Sequence, residues 1–580
     1  MNKSFVIAVI AILAQFSGFA QRSNQDTLKS GDVYIVKEYQ PRISDAFKLS
    51  ENPKVLDTVI NIGQDATYKV KDVQAETEFV TDPIKPAKMK GEPLNKLYRA
   101  YMLLGAGNNL STRGEFVLNS TRSRKWDYGL KAWHHGSNGN VPDRGPSNFS
   151  DNTIDVYGKK FFYNKILSAN LNYGLNTLHY YGFNPTIYPD AILDDSLSKG
   201  SIATSYQNIA PEINFKTYFK DSNAVNSELN FKFTNYTNRA NSVENNLRLN
   251  ADFDRYFDDN FAELGLFLDY NQFKFQPLTA GIIPEFANTI FGFKPQVTAG
   301  QDKWKVTVGI EGNISSDTLS NFYVYPHLYA KYDLVEGLLI PYAGLQGGMD
   351  RNNYKSLTQE NPYLTAVPVT NNQINKIEAY GGIRGQFSSN SSYNITASHR
   401  VIDNLPLFVN RIDSVGGIAV QNQFDVIYDN LQITQLTAEF GLQRINKFNG
   451  LIRGDYFIYN LDNQKAAWNM PDFKVTLSGW YDISDKLVFT ADVIAVGARK
   501  AFTTDATQED LGGNVYAKEL DALVDLNLGV EYFFTKRFSA FIRSYNLANQ
   551  NYQFYNEYNT QGITVIGGIS YSFWGNRKGK

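Results

Sequence analysis

The sequence contains no cysteine and carries almost no net charge. Without cysteine, the chain has no disulfide framework, no thiolate chemistry and no cysteine that could carry a lipid anchor after a signal segment. The formal net charge of -2 gives no reason to expect nucleic acid or a strongly charged partner. Beyond the N-terminus, no segment approaches the roughly 20 apolar residues that a transmembrane helix needs. These absences argue against disulfide-rich, nucleic-acid-binding and helical membrane proteins.

Histidine is scarce, and the acidic residues lack metal-binding spacing. His134 and His135 are adjacent, so on a strand they point to opposite faces and cannot chelate one metal together. The remaining histidines are isolated and the acidic loop residues lack the ordered spacing of a calcium site: His179, His327, His399, Asp190, Asp194 and Asp195. No G-x-S-x-G elbow is visible. We therefore predict a protein that is not an enzyme and uses no metal or other cofactor.

Aromatic residues are abundant, at 14% of the chain, and they favour pleated, half-buried surfaces. Apolar and polar residues alternate along 167–176, 304–311 and 524–534, which is the period of a strand and not of a helix. These runs cover about ten residues or more, the length that a tilted strand needs to cross a bilayer. Strands of soluble sandwiches are usually shorter, about five or six residues. The pattern predicts a membrane β-barrel, with apolar side chains facing lipid and polar side chains facing the lumen.

Short and long connections alternate along the chain. Tight polar turns are predicted near Ser123, Asn164, Asp221, Asp259, Gln301, Glu336, Ser389, Asn446, Asp485 and Lys536. Mostly longer connections lie between them, near Gly107 and at 136–150, 177–204, 236–243, 271–287, 314–321, 351–372, 403–430, 461–470, 498–520 and 546–561. Short periplasmic turns and longer outside loops are typical of outer-membrane barrels, and this rhythm predicts about 22 antiparallel strands.

The N-terminus has the pattern of a secretory signal. Lys3 precedes an apolar run from Phe5 to Phe16, and Gly18 and Ala20 are the small residues that suit cleavage. We divide the chain into a signal peptide (1–20), a periplasmic leader or partial lumen filler (21–95), an outer-membrane barrel (96–575) and a basic tail (576–580). An even strand number places both termini in the periplasm.

The C-terminal stretch 538–574, FSAFIRSYNLANQNYQFYNEYNTQGITVIGGISYSFW, resembles the end of TonB-dependent receptors. In that family a strand ending in Asn-Leu is followed by a Tyr-rich loop, a Gly and a final strand closing on Tyr-x-Phe. The matching residues are Asn546, Leu547, Tyr552, Tyr555, Tyr558, Gly562, Tyr571 and Phe573. The resemblance implies that Ile569, Tyr571 and Phe573 form the signal read by the barrel-insertion machinery. The string GDVYIVKEYQPRISDAF from Gly31 is similar to a leader of receptor-like barrels in Bacteroidetes.

Residues 21–95 are too few for the complete plug that the family carries before its barrel. A barrel of this size has a wide lumen, and large barrels are normally filled. We expect the filling to come from residues 21–95, from infolded loops or from another protein. The aromatic-rich loops HYYGFNPTIYPD (179–190) and NYQFYNEYN (551–559) are interpreted as part of the girdle at the membrane interface, with stacking on sugars or packing on a partner as alternatives.

A short extended pattern in the leader suggests a periplasmic contact. It comprises Asp32, Val33, Tyr34, Ile35, Val36 and Lys37. Such a segment could be a TonB box, another strand that adds to a partner sheet, or an ordinary flexible leader. The expected function is a TonB-dependent-receptor-like barrel that binds or passes a substrate. The alternative is a structural subunit that scaffolds a larger outer-membrane complex. The expected partners are outer-membrane lipid, the insertion machinery, and either TonB or other periplasmic or outer-membrane subunits.

Overall fold

The computed structural model describes residues 97–221, 223–275, 285–316, 320–415, 418–445, 447–512 and 515–575. The predicted signal peptide, the leader with its segment Asp32–Lys37, and the basic tail lie outside the described residues, so those assignments stay predictions.

Twenty-two strands build one sheet. They are β1 (Tyr98–Gly107), β2 (Thr112–Asn119), β3 (Trp126–Ser137), β4 (Phe149–Phe161), β5 (Lys165–His179), β6 (Ala203–Thr217), β7 (Asn226–Asn238), β8 (Val243–Phe257), β9 (Asn260–Lys274), β10 (Glu285–Gln301), β11 (Trp304–Ser316), β12 (Ser320–Tyr332), β13 (Ile340–Asp350), β14 (Gln373–Ser388), β15 (Ser391–Val415), β16 (Ile418–Ile445), β17 (Phe448–Leu461), β18 (Phe473–Ser484), β19 (Leu487–Val496), β23 (Leu523–Phe533), β24 (Phe538–Tyr545) and β27 (Thr564–Gly575).

Each of these strands pairs antiparallel with the next one in the sheet. The circle closes where β27 pairs with β1, for example Ile569 opposite Leu104 and Tyr571 opposite Met102. Closure leaves no free edge strand, so backbone hydrogen bonds between neighbouring strands run around the whole circle. The predicted antiparallel barrel of about 22 strands is therefore confirmed.

The smaller elements lie in the long connections. They are a helix α1 (Asp190–Asp194), a helix α2 (Tyr354–Glu360), a 3-10 turn (Pro185–Ile187), and the short strands β20 (Arg499–Thr503), β21 (Glu509–Asp510), β22 (Tyr516–Leu520), β25 (Gln553–Tyr555) and β26 (Tyr558–Asn559). In the described part of the chain, no helix is long and apolar enough to cross a membrane.

The two faces of the wall differ as the alternation predicts. Val524, Val530 and Tyr532 on β23 are exposed on the outside, as are many other large apolar side chains around the barrel. On the inner face, amides and carboxylates bond across strands, for example Asn172 Nδ2 to Asp155 Oδ1 at 2.6 Å. An apolar exterior around a polar interior is the arrangement of a membrane barrel.

Each predicted tight turn whose residue the structure describes falls at or between the ends of two paired strands, and Asn446 lies outside the described residues. We call that end of the barrel the turn end and the opposite end the loop end. One connection differs from its prediction. Much of 403–430 is strand and not loop, because β15 and β16 continue past their neighbours as a long hairpin. A register shift between Ile402 and Leu405 accommodates one extra residue on β15, and Asn404 there adopts a φ of 58°.

Candidate functional site: the loop cap

The long connections pack against one another at the loop end, and we call this assembly the loop cap. Its parts are residues 180–202, 351–372, 462–472, 497–512, 515–522 and 546–563, together with the described residues of the outer β15–β16 hairpin, 405–415 and 418–431, which we call the lid hairpin. Buried apolar clusters join these parts, and one of them holds Leu357, Leu364, Phe408, Phe424, Val426 and Tyr558. The cap is thus a small hydrophobic core built from loops.

The lid hairpin projects beyond the wall and meets other loops. Pairing of β14 with β15 reaches Asp403, and pairing of β16 with β17 reaches Leu431. Beyond these points the hairpin gains a new neighbour, since Phe424 N donates to Tyr363 O at 3.0 Å and Thr365 N donates to Phe424 O at 3.0 Å. The loop after β13 therefore joins the lid hairpin through one parallel β-bridge, Leu364 opposite Phe424.

Three tyrosines from widely separated loops meet in the cap. The loops that carry Tyr181, Tyr363 and Tyr558 leave the wall after β5, β13 and β24, which are eight, eight and six strands apart around the barrel. The ring centroids of Tyr363 and Tyr558 are 3.6 Å apart, and the rings of Tyr181 and Tyr558 are edge-on at 4.9 Å. Side chains from roughly equal thirds of the rim can only touch in this way if the loops reach across the mouth.

The tyrosine hydroxyls hold the loops to one another and, through Tyr206 on β6, to the wall. Each donates to a backbone carbonyl of a different connection: Tyr180 to Leu364 (2.8 Å), Tyr181 to Asn559 (2.9 Å), Tyr206 to Pro362 (2.8 Å), Tyr555 to Glu360 (2.9 Å) and Tyr558 to Asn422 (2.5 Å). Burial raises the pKa of Tyr181 and of Tyr558 well above the ordinary value, so both stay protonated donors. Loop carbonyls that would otherwise lack partners are satisfied inside the cap.

Buried charges fix the loop after β13 to the inner wall. Glu244, only 1% exposed, accepts from the first backbone N–H groups of α2, at 2.7 Å from Tyr354 N and 3.2 Å from Lys355 N. A carboxylate at a helix N-terminus is favoured by the orphan N–H donors and the helix dipole. Beside it, Nε of Arg351 lies 2.7 Å from Oδ1 of Asp269. Breaking such a pair would leave an uncompensated buried charge.

A second set of ionic contacts ties the last loop to its neighbours. Glu557 lies at the tip of the β25–β26 hairpin and pairs with Arg144 and, at 2.5 Å, with Lys518. Burial alone would raise the pKa of Glu557, but the hydrogen bond and charge of Lys518, with the charge of Arg144, outweigh it and hold that pKa below its ordinary value. Glu557 also has a φ of 68°, a conformation that few non-glycine residues adopt.

A cleft of about 370 Å³ opens between the loop after β5, the loop between β7 and β8, and the lid hairpin. Its polar lining consists of Ser196, Ser201, Thr204, Asn238, Arg239, Asn422 and Gln423. Tyr180, Leu197, Ile202 and Val420 supply apolar contact. Among the described residues that line the cleft, one is charged, the cation Arg239. Pockets of this size suit small ligands that are fixed by a few polar groups.

The structure corrects the girdle interpretation of the two aromatic loops. Phe183, Tyr188, Tyr552 and Tyr558 are buried within the cap and do not line an outer belt. The loops instead pack on each other, as the contact between Tyr181 and Tyr558 illustrates. Two clusters of aromatic residues in loops that face water are themselves a signal for such packing, because exposed aromatic surface is costly.

The predicted histidine and aspartate positions are spread over the molecule. His134 lies 2.8 Å from Thr112 Oγ1 and 2.7 Å from Asn152 Oδ1, whereas His135 packs on Phe149, in line with their opposite faces. His179 bonds Asn148 O, His399 bonds Thr434, and His327 lies in β12. Asp190 and Asp194 lie in α1, followed by Asp195. In the described ranges, no group of acidic or histidine side chains is arranged to hold a metal ion.

The predicted insertion strand is β27. Ile569 and Tyr571 are exposed on the outer face, and the rings of Tyr571 and Phe573 stack at 6.0 Å. Their role as an insertion signal stays a prediction.

Comparison with known proteins identifies the fold class. The chain is similar to the siderophore receptor PirA from Acinetobacter baumannii, with a TM-score of 0.63 and 13% identity over 83% of this chain and 81% of that one. It is similar to the ferric-catecholate import receptor Fiu from E. coli K12 (TM-score 0.58, 9% identity, 83% and 82% covered) and to the copper transporter OprC (TM-score 0.60, 11% identity, 83% and 82% covered). No family model and no curated protein matches the sequence. At these identities the likeness shows the 22-strand barrel fold.

Proposed function

We propose that this protein is an outer-membrane receptor or transporter barrel whose mouth is closed by its own loops. The apolar outer face, the polar lumen and the fold shared with receptors and a transporter support this class. Placing the turn end in the periplasm puts the loop cap outside the cell and leaves both termini in the periplasm. A fold alone does not define a substrate, so the proposal rests further on the cap.

The meeting of Tyr181, Tyr363 and Tyr558 is the observation that carries the proposal. Loops that merely fringe a diffusion pore have no reason to share a buried core. Because this core spans the mouth, solute passage requires the cap to open. The protein therefore acts as a gated receptor and not as an open porin.

The cleft beside the lid hairpin is the proposed ligand site. Arg239 offers positive charge, while Asn238, Asn422 and the serine hydroxyls offer donors and acceptors. That combination favours a small hydroxylated anion, such as a sugar acid, over a cation or an apolar ligand. Because the lid hairpin forms one wall, a ligand in the cleft contacts the element that must move.

Energy for opening is proposed to come from the periplasm through leader residues 32–37, whose sequence pattern predicts an extended segment. Such a segment can add a strand to a TonB sheet or to another partner sheet. Deletion of residues 30–42 is expected to abolish uptake or assembly in the cell. Wild-type behaviour of the deletion strain would contradict strand addition to TonB and to any other periplasmic partner.

Conductance in planar bilayers tests the closed mouth. The wild-type protein is expected to conduct little, and Tyr558→Ala is expected to open it, since the stacked contact with Tyr363 is lost. Tyr532→Ala is the matched control, because this tyrosine lies on the outer face of β23, away from the final strand. A large, steady conductance of the wild-type protein would contradict a closed mouth.

Ligand recognition is tested by titration calorimetry with glucuronate as the probe and glucose as its neutral counterpart. Glucuronate is expected to bind more tightly, and Arg239→Gln is expected to remove the difference. Arg255→Gln, a change remote from the cleft on β8, serves as the control. Equal binding of both sugars, or none, would contradict an anion site at this cleft.

A structural role in a larger complex is the second candidate. The interlocked hydroxyl-to-carbonyl bonds of the cap favour it, because they suit a surface that holds its shape. Affinity purification from native membranes in mild detergent separates the two functions. Stoichiometric partners favour the scaffold, while purification as a lone monomer favours the receptor.

A further inference from the structure

The pairing between β12 and β13 ends before the strands do. Among the described residues, the ladder runs from Lys331 opposite Tyr342 to His327 opposite Gln346 and then stops. Both strands continue towards the loop end. The ladder contains no pair between the two continuing segments, which are Tyr323, Val324, Tyr325 and Pro326 on β12 and Gly347 to Asp350 on β13. We call this interval the wall slot.

Other prolines in the wall do not produce this effect. Pro211 in β6 interrupts the ladder with β7, yet pairing resumes at Ile209 opposite Asn235. Pro295 in β10 interrupts the ladder with β11, and pairing resumes at Phe293 opposite Gly312. A missing proline N–H therefore accounts for a short break, but not for the length of the wall slot.

Side chains, not backbone hydrogen bonds, cover the wall slot. A Cβ at Gly347 would lie 2.9 Å from Cδ1 of Tyr325, so the tyrosine ring rests on that glycine. Likewise, Oε1 of Glu311 lies 3.5 Å from the Cβ position of Gly348. The ladder between β13 and β14 also shifts register at this point, between Gln346 and Gly348. Two glycines thus make room for residues of β11 and β12.

The wall slot is apolar outside and polar inside. Phe322 and Val324 are 56% and 54% exposed, and their neighbours Ile310 and Ile314 on β11 belong to the apolar outer face. Tyr325 is 3% exposed, and its hydroxyl is buried with no hydrogen-bond partner among the described residues. A buried hydroxyl without a partner is costly, and backbone groups left unpaired in hydrocarbon cost more.

We propose that the wall slot is a lateral portal that binds a single-chain amphiphile with a hydroxylated head. The chain lies against Phe322 and Val324, and the head reaches the Tyr325 hydroxyl and the Glu311 carboxylate. This inference rests on the proposed membrane location, and it adds a route through the wall to a barrel whose mouth is closed. Occupancy would satisfy the polar groups that the interrupted ladder leaves free.

Engineered cysteines test the geometry, because the chain contains no others. Leu328→Cys with Leu345→Cys joins residues that are paired opposite each other, so this control is expected to cross-link readily. Val324→Cys with Met349→Cys continues the same register into the wall slot and is expected to resist cross-linking. Equally fast disulfide formation in both variants would overturn the slot.

Photolabelling tests the ligand. The probe is a monoacylglycerol with a diazirine on its chain, added to the full-length protein in native membrane vesicles. Label is expected to concentrate on peptides from β12 and β13, and the double variant Tyr325→Phe/Glu311→Gln is expected to lower it roughly tenfold, as lost hydrogen bonds predict. Tyr329→Phe is the control. Tyr329 lies on the same strand nearer the turn end, where β12 pairs with β13, and its change is expected to leave the label unchanged.

Two results would overturn the portal. One is equal labelling of all strands of the wall, and the other is labelling that the double variant does not lower. Those results leave the conductance of the Tyr558→Ala variant untouched, so failure of the portal and failure of the closed mouth are distinguishable. If the protein were extracted from membranes without detergent, both the portal and the closed mouth would be contradicted.

Discussion

The barrel wall and the loop cap are stabilised by different kinds of contact. In the wall, residues bond to strands that are adjacent around the barrel, so the same local pattern repeats from β1 to β27 outside the wall slot. In the cap, the decisive contacts join residues far apart in sequence, such as Tyr181 and Tyr558. The wall therefore follows from a period of two, whereas the cap depends on complementary loops.

Tyrosine illustrates the difference. On the wall, Tyr532 and Tyr571 lie on the outer face with about 40% of their surface exposed, where an amphipathic ring suits a membrane boundary. In the cap, Tyr558 is 1% exposed and donates to Asn422 O. The residue type is the same, but its environment decides whether it anchors the barrel in lipid or holds the mouth closed.

The largest expected effect destabilises the loop cap and leaves the wall unchanged. Tyr558→Ala removes a fully buried ring, which typically costs about 3–5 kcal/mol for an aromatic residue. We expect this loss to fall on the cap, so hydrogen exchange should speed up in 180–202 and 351–372 and stay slow in the wall. Tyr558→Phe is the control and should cost only about 1 kcal/mol, for the bond to Asn422. Faster exchange throughout the wall would mean that the cap and wall unfold together.

A charge on the outside tests the wall. Ile154 is exposed on the outer face of β4, and an arginine near the bilayer midplane of a barrel costs about 2–4 kcal/mol. Ile154→Arg should therefore lower the free energy of unfolding in lipid vesicles, measured by urea titration. Thr153→Arg, on the adjacent inward position, should change it far less. Equal effects of both substitutions would contradict the assignment of inner and outer faces.

Most of the wall could be predicted from the sequence because its signals are local. Alternation around Val524 and Leu167 gave the faces, and polar turns near Asp259 and Asp485 gave the hairpins. The lid hairpin was missed since Asn404 and Pro406 indicate a break in a strand. In the structure a register shift takes up that break, and pairing continues through Pro406 opposite Tyr428.

The cap could not be predicted in the same way. The sequence shows aromatic clusters in loops 179–190 and 551–559. No local sequence pattern indicates that Tyr181 and Tyr558 are in contact. Closure of the mouth depends on loop lengths and on partners such as Glu244, which accepts from Tyr354 N. In the sequence, nothing distinguishes Glu244 from other polar residues near the start of a strand. Pairings of this kind between distant loops require the folded barrel to bring them together.

A medium effect is expected where the lid hairpin meets the loop after β17. Asp429 is 2% exposed and accepts from Asn463 N, Asn463 Nδ2 and Gln464 N at 2.8–3.1 Å. Asp429→Asn replaces one acceptor with a donor, and hydrogen bonds to a charged group are worth about 1.5–3 kcal/mol. Exchange in 462–472 should rise accordingly.

The control for that change is Asp425→Asn, at a second aspartate of the lid hairpin. Asp425 and Arg411 form an exposed pair at 3.8 Å, and such pairs contribute about 0–1 kcal/mol. A large effect of Asp425→Asn, or none of Asp429→Asn, would contradict this role of the Asp429 contacts.

The smallest expected effect is a dependence of the cap on pH. Because Lys518 and Arg144 hold the pKa of Glu557 below its ordinary value, the charged carboxylate stabilises the closed cap above the ordinary pKa of about 4.3. That contribution is lost as the pH falls through the lowered pKa. Conductance in planar bilayers should thus increase only in strong acid, where Glu557 is protonated.

Glu557→Gln should remove this acid response and raise conductance slightly at neutral pH, since the neutral amide keeps the shape but not the charge. Glu509→Gln is the matched control, because Glu509 pairs with Lys500 at 2.8 Å in an exposed setting, where an ion pair is worth little. If the acid response persists in Glu557→Gln, a different group opens the cap. If it disappears in Glu509→Gln as well, the response reflects the whole loop surface and not this contact.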